Sequence, residues 1–246
     1  MDVSSYAQGK AMAVAGTVHV ADGRGIGAFA ANGVASITVE ELIQANDTGV
    51  GSGLAANGAT GASITFGSVQ SSGDGNTSAV AASSTSGDIL IQGDKIIVTG
   101  DRRNGVLAVG TNADITIAIS GAVTTDGAGA TGIYAATGGA VDIAANRVVT
   151  NATRYASIEA QGASVTLRAN RVEASGDNET EGALAAVMAS GATSADVTVG
   201  TVLANGTGRD GVAIVSDGTG ALTVVAGGTV SATHDAVTFQ TGQGAS

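Results

Sequence analysis

The chain has 246 residues, and its 39 glycines, 2% aromatic content and lack of proline and cysteine rule out a bulky aromatic core or a disulfide scaffold. A net charge of -11 argues against nucleic acid or an anionic membrane surface as partner. No run approaches the ~18 apolar residues of a membrane span, and 43% hydrophobic residues in a periodic pattern argue against disorder.

With so few aromatics, Val, Ile, Leu and Ala must fill a narrow interior. Freedom from proline suits strands that donate ladder hydrogen bonds on both sides. The start, Met1-Asp-Val-Ser-Ser-Tyr, has neither a basic segment nor an apolar core, so no signal peptide is expected there. The absence of cysteine fits a reduced cytosol and an extracellular bacterial protein equally.

Taken in order, the chain repeats one unit: two short apolar strands, a polar turn, a third strand and a Gly-rich corner. Residues 1–10 read as a lead-in, and residues 11–246 as the repeating body. The first pass is Ala11-Met-Ala-Val, Thr17-Val-His-Val, a turn at Asp22, then Ile26-Gly-Ala-Phe. The second runs from Ser36-Ile-Thr-Val through Asn46-Asp47 to Gly53-Leu-Ala-Ala, and the third from Ser63-Ile-Thr-Phe through Asp74 to Ala79-Val-Ala-Ala. The fourth begins at Asp88-Ile-Leu-Ile, turns at Asp101-Arg-Arg-Asn and ends in Gly105-Val-Leu-Ala. Asp114 to Leu167 carries the fifth and sixth passes almost as a duplicate and starts the seventh, which is longer than its neighbours and turns at Asp177-Asn-Glu-Thr-Glu. Asp196-Val-Thr-Val and Leu222-Thr-Val-Val open the eighth and ninth.

Aligning Ile64, Ile89, Ile115, Val141 and Val165 gives spacings of 25, 26, 26 and 24. Such a period predicts an all-β chain forming a single parallel β-helix of about nine three-strand rungs. The period-2 rule places Ile115, Ile117, Val165, Leu167, Val197 and Val199 inside and Thr116 outside. At about 4.8 Å per rung, nine rungs make a rod on the order of 40 Å long. A β-sandwich also has short, regularly spaced strands, but it has no reason to repeat one three-strand unit nine times.

Three sets of residues invite a functional reading. Asp22, Asp47, Asp74, Asp101, Asp126, Asp177, Asp210 and Asp235 fall near one corner, with Asn151 in the remaining pass and Arg24, Arg102, Arg103, Arg154 and Arg209 between them. Stacked carboxylates could hold Ca²⁺, which takes oxygen ligands. Turn chemistry is the stronger reading, since Asp and Asn bond their own backbone in tight turns. Outside the first strands, Thr38, Thr65, Thr116, Thr166, Thr198 and Thr223 suggest a threonine column of the kind that orders water in ice-binding proteins. Leu90 and Asp142 interrupt it, and threonine favours strand exteriors anyway. Asp142, Arg147, Arg168, Arg171 and Glu173 could gather on the outside of passes six and seven, where Tyr134 and Tyr155 are the only aromatics nearby that could cradle a sugar, and two do not make a platform. Cross-strand pairing explains such charges more simply. His19 and His234 lie in the first and last passes, too far apart to share a site, and no nucleophile elbow is present. No catalytic residue, cofactor or firm metal site is therefore expected.

Several segments give the chain a family likeness. Third strands often read Gly-h-x-Ala with h apolar (Gly53-Leu-Ala-Ala, Gly105-Val-Leu-Ala, Gly132-Ile-Tyr-Ala), first strands Ser/Asp-h-Thr-h, and Gly-Thr-Val recurs at Gly200 and Gly228. Over roughly residues 11 to 242 this style resembles the passenger domains of autotransporters, the type V secreted proteins of Gram-negative bacteria. The resemblance implies a right-handed β-helix at the bacterial cell surface, serving as a non-enzymatic stalk or adhesin. Its partner would be a glycan or protein on a host or neighbouring cell. The family's signal peptide, translocating barrel and capping region are not recognised in the sequence. The final strand, ending soon after Phe239, carries no amphipathic helix or polar rung, which suggests end-to-end association into a filament as the alternative. A polysaccharide-acting enzyme ranks third.

Overall fold

Alternating inward residues make each strand, and stacking equivalent inward residues joins the strands into a tube. The computed structural model describes residues 2–5, 9–21, 23–44, 51–151, 155–176, 184–216 and 220–241. Among them no helix forms, and eighteen strands belong to one sheet in which every pairing is parallel. The architecture is a β-solenoid.

Two columns of strands run along it. The short column comprises β1 (Asp2–Ser5), β3 (Ile26–Ala30), β5 (Leu54–Gly58), β7 (Thr77–Ser84), β9 (Arg103–Gly110) and β11 (Ile133–Ala136), then continues through the first parts of β13 (Ile158–Ala174) and β14 (Leu184–Ala204) to β15 (Arg209–Ser216) and β18 (Val237–Thr241). The long column comprises β2 (Ala11–Val20), β4 (Val34–Gln44), β6 (Gly61–Ser72), β8 (Ile89–Thr99), β10 (Ile115–Asp126) and β12 (Ala140–Asn151), the later parts of β13 and β14, and finally β16 (Leu222–Ala226) with β17 (Val230–Ala232). Successive passes through this column make about eight turns.

The spacing predicts separate first and second strands, but the ladder runs through both as one long element. Its register shifts partway along, between Ile119 and Ala122 where β10 meets β12. The lead-in also holds ladder structure, since β1 pairs with β3.

Inside the tube, parity follows the alternation: Ile115, Ile117, Val165, Leu167, Val197 and Val199 are buried and Thr116 is exposed. The alignment of passes needs one correction. Ile64 pairs with Ile91, a spacing of 27, and Ile89 pairs with Ala62. Both isoleucines of β8 are buried, so a two-residue slip keeps every side chain on its face and leaves the apolar pattern unchanged.

The short column has the most uniform interior. Ala28, Ala56, Ala82, Ala108, Ala135, Ala160 and Ala189 stack in register over seven turns, all buried, before Ile214 and Phe239 take the same position. The glycine of the Gly-h-x-Ala pattern has a steric cause. A Cβ on Gly132 would lie 2.6 Å from the Ser157 carbonyl oxygen and 2.6 Å from Val148 Cγ1.

Candidate functional site

The aspartates of the predicted corner do not form one edge. Asp74 and Asp101 share a position: Asp74 Oδ1 accepts the Asp101 N–H at 3.0 Å, and Asp101 Oδ1 accepts the Ala128 N–H at 2.8 Å. Asp126 instead ends β10, in register with Asn151 and with Thr99. Asp210 and Asp235 share a third position, where Asp210 Oδ1 accepts the Asp235 N–H at 3.0 Å. Asp22, Asp47, Asp177 and Arg154 lie outside the described residues. Turns of unequal length between the strands shift the aspartates out of line. Asp74, Asp101 and Asp210 each tie one turn to the next, as Asn104 does through Oδ1 to the Thr131 N–H at 3.0 Å. Such bonds satisfy backbone donors that a tight corner would otherwise strand.

The threonines divide as well. Thr38, Thr65 and Thr198 belong to one outward column, interrupted by Gln92, Ala118, Ala144 and Arg168. Thr116, Thr166 and Thr223 belong to its neighbour, which also holds Leu90, Asp142 and Asp196. Two-residue slips at β8, where Ile64 pairs with Ile91, and at β14, where Leu167 pairs with Val197, divide the array, so no continuous threonine surface exists along these strands.

The charged group on β12 and β13 does gather, and its three arginines share two carboxylates. Glu173 Oε1 receives Arg147 Nη2 and Arg171 Nε, each at 2.7 Å, and Asp142 Oδ1 receives Arg168 Nη1 at 2.9 Å. The Arg171 hydrogen bond, with Arg147 beside it, holds the Glu173 carboxyl below the usual carboxylate range. Arg147–Glu173 and Arg168–Asp142 join neighbouring strands while Arg171–Glu173 lies within β13; all are solvent-accessible pairs, each worth at most about 1 kcal/mol.

Two arginines of the predicted edge lie elsewhere. Arg103 and Arg209 are fully buried, each three residues before an inward valine in the repeated segments Arg103-Asn-Gly-Val and Arg209-Asp-Gly-Val. Arg209 reaches across turns, donating from Nε to the Gly176 carbonyl oxygen at 2.7 Å and from Nη1 to the Tyr155 carbonyl oxygen at 3.2 Å. Arg103 donates from Nη2 to Ser71 Oγ. The recurring Arg-Asx-Gly-Val segment was the available signal, although its arginine looks like an ordinary turn charge.

A cleft of about 660 Å³ opens beside the short column where the corner turns stand against its outer face. Tyr134 and Glu159, neighbours in register on β11 and β13, form its floor, and Tyr155, Arg102 and Asn104 rise at its side. The tyrosines thus come together with Glu159, not with the arginines of β12 and β13. Partial burial raises the Glu159 carboxyl above its ordinary range, against the lowering effect of a 2.7 Å hydrogen bond from Gln161 Nε2. Tyr134 is raised too, by burial first and then by the Glu159 charge. Arg102 is the one non-glycine residue with positive φ among the described residues, at 59°. Gly129 and Gly208 take the corresponding corner position at 74° and 68°. Arg102 therefore carries a side chain where the fold otherwise uses glycine, at a backbone cost of about 1 kcal/mol or more. The cleft continues into a hollow of about 450 Å³ that shares Asn104 and reaches Leu107, Asn57 and Phe29.

At the other end of the solenoid, His234 Nδ1 lies 2.7 Å from Asp210 Oδ1 and 3.4 Å from Asp235 Oδ2. These ligand-type atoms fall within 4.8 Å of one another, and the arrangement is satisfied as an ion-paired turn. The Asp210 hydrogen bond, with the charges of Asp235 and Asp210, raises the His234 pKa above its ordinary value. A raised histidine contributes stability that is complete below the unfolded-state pKa of ~6.5 and is lost as pH rises through the folded value. Hydrogen exchange of β18, corrected for intrinsic rates, is expected to quicken from pH 6 to pH 8 in the native chain. In His234→Gln that added pH dependence should vanish; its persistence would assign the effect to another group.

Comparison with known proteins gives no relative: no family model, curated protein or solved structure matches the chain.

Proposed function

We propose that this solenoid is a non-enzymatic stalk or adhesin module of the autotransporter passenger type, displayed on a bacterial cell surface. In this reading the tube is right-handed with three strands per rung, the register shift in the long strands marking a corner. The observation that carries it is the contrast between inside and outside. The inward column keeps alanine for seven turns, while the outward column one residue before it passes through Gly27, Ala55, Ala81, Leu107, Tyr134, Glu159, Met188 and Ala213. A uniform interior with a changing exterior suits a rigid rod that presents a surface, and solenoids bind through such extended faces.

The test is adhesion of the purified chain to immobilised glycans, matrix proteins and whole cells, with and without a Ca²⁺ chelator. Specific adhesion unaffected by chelation is expected, because Asp74, Asp101 and Asp210 already serve the turns. Turnover of a polysaccharide, or no adhesion to any surface, would overturn the reading.

A further inference from the structure

We propose that the cleft formed by Tyr134, Tyr155, Arg102, Asn104 and Glu159 binds a neutral oligosaccharide lying along the solenoid axis. The inference rests on the adhesin reading and supplies the class of ligand. Four features of the cleft lead to it.

First, the face offers side chains and no free main chain. β11 is hydrogen-bonded on one side to β9 and on the other to β13. A peptide that recognises its partner by adding a strand has no edge to join here. Second, the side chains are those a sugar ring needs. Tyr134 and Tyr155 offer flat faces that cover C–H surfaces, each with a polar hydroxyl. Asn104 accepts the Thr131 N–H through Oδ1, which leaves its amide N–H₂ as a donor to a hydroxyl. Third, the charges are mixed, with Arg102 beside Asp101 and Glu159 on one cleft, and Asp101 Oδ1 already accepts the Ala128 N–H. The two carboxylates oppose a polyanionic chain and Arg102 opposes a polycationic one, so a neutral chain fits best. Fourth, backbone strain sits at this place. Arg102 holds φ at 59°, and a Cβ placed on Gly129 would find Arg102 Cγ and Tyr155 Cε2 each at 3.5 Å. Those contacts are ordinary, so it is the φ of 74° at Gly129 and not space that calls for glycine there, and residues kept in sparse backbone regions, as Arg102 is, concentrate at ligand sites.

The shared Asn104 and the adjoining hollow give the site its direction. From Phe29 on β3 to Glu159 on β13 the trough passes five strand spacings, about 24 Å at ~4.8 Å each. It runs across the strands, so an extended chain of several sugar units fits better than a monosaccharide.

The chain has no tryptophan, and two of its three tyrosines line the cleft, so a change in tyrosine emission that is lost in the Tyr134 and Tyr155 variants reports on the cleft. Cellohexaose, chitohexaose, maltohexaose and an oligogalacturonate of equal length would be titrated against the intact chain, followed by tyrosine emission and calorimetry. At least one neutral hexasaccharide is expected to bind and to change the emission, with the oligogalacturonate at least tenfold weaker. Tyr134→Ala and Tyr155→Ala should each weaken binding about tenfold, whereas Tyr134→Phe keeps most of it. Arg102→Gly should weaken binding while leaving the unfolding midpoint equal or higher, because strain is relieved; this variant separates a ligand role from a folding role. Failure of every neutral saccharide to bind the native chain, or tight binding unchanged in both alanine variants, would overturn the proposal. Preference for the oligogalacturonate would overturn its charge argument. If surface adhesion survives in Tyr134→Ala/Tyr155→Ala, the ligand is a protein bound elsewhere, and the adhesin reading stands without this cleft. If the native chain binds a saccharide but adheres to no surface, the adhesin reading fails and the cleft remains.

Discussion

Arg209→Ala is expected to destabilise the C-terminal turns by about 3–5 kcal/mol, the largest effect of any single charge removal in the described fold. The guanidinium is fully buried and joins Arg209 on β15 to the Gly176 and Tyr155 carbonyl oxygens of other turns. Truncation removes a charged donor from two carbonyl oxygens in part-buried positions, at roughly 1 kcal/mol for each bond lost. It also leaves a void the size of a long side chain, which the stiff ladder on either side prevents from closing. Arg103→Ala should act in the same direction through the Ser71 hydroxyl. Arg168→Ala is the matched control: its pair with Asp142 is half-exposed on both sides, so the loss should stay below about 0.5 kcal/mol. Unfolding of a repeat array is not assured to be two-state. The measurement is therefore urea unfolding combined with hydrogen exchange, and exchange should rise first in β15 and β18. Equal costs for Arg209→Ala and Arg168→Ala would mean that the buried guanidinium does not link the turns.

The difference between these arginines also marks where sequence reasoning reached its limit. Side-chain parity was legible because a strand has a period of two, so Ile115 and Ile117 declare their face without any knowledge of neighbours. Register between turns was less legible. Asp88-Ile-Leu-Ile offers two equivalent isoleucines to Ile64, and only the three-dimensional ladder chooses Ile91. That slip of two residues moved Thr65 out of the column of Thr116, and a second one at β14 moved Thr198 out of the column of Thr166, which together removed the threonine array. Corner residues were the least legible, since each corner has its own length. Asp101 and Asp126 look equivalent by spacing, yet Asp126 still belongs to β10 while Asp101 lies in the turn beyond β8. Arg103 resembled its exposed neighbour Arg102 for the same reason. The tyrosines were recognisable as the only aromatics able to meet a sugar, but their partner Glu159 followed only from pairing β11 with β13.

Ala135→Leu is expected to cost about 3 kcal/mol, the upper end of what overpacking does in a filled core. Ala135 is buried on β11 in the alanine column, with Ala108 one turn before and Ala160 one turn after. Identical small residues at a spacing of about 4.8 Å leave added methyl groups no direction in which to expand except across the tube, into the Ile and Val side chains of the long column. A single substitution therefore strains three turns at once. The same change at Ala189 should be cheaper, because its next neighbour is Ile214, where the column already accommodates a large side chain. The ordering Ala135→Leu costlier than Ala189→Leu, read from unfolding midpoints, tests whether alanine sets the width of the tube. Equal costs would mean that width is set by the long strands and that the alanines only fill what those strands leave. The reverse ordering would mean that the last turns, with Phe239 at their end, are packed more tightly than the middle of the rod. In a rod whose turns are stabilised by their neighbours, the expected ordering places the firmest packing around β11. That is where Tyr134 stands on the outer face, so the proposed ligand would meet the most rigid part of the molecule.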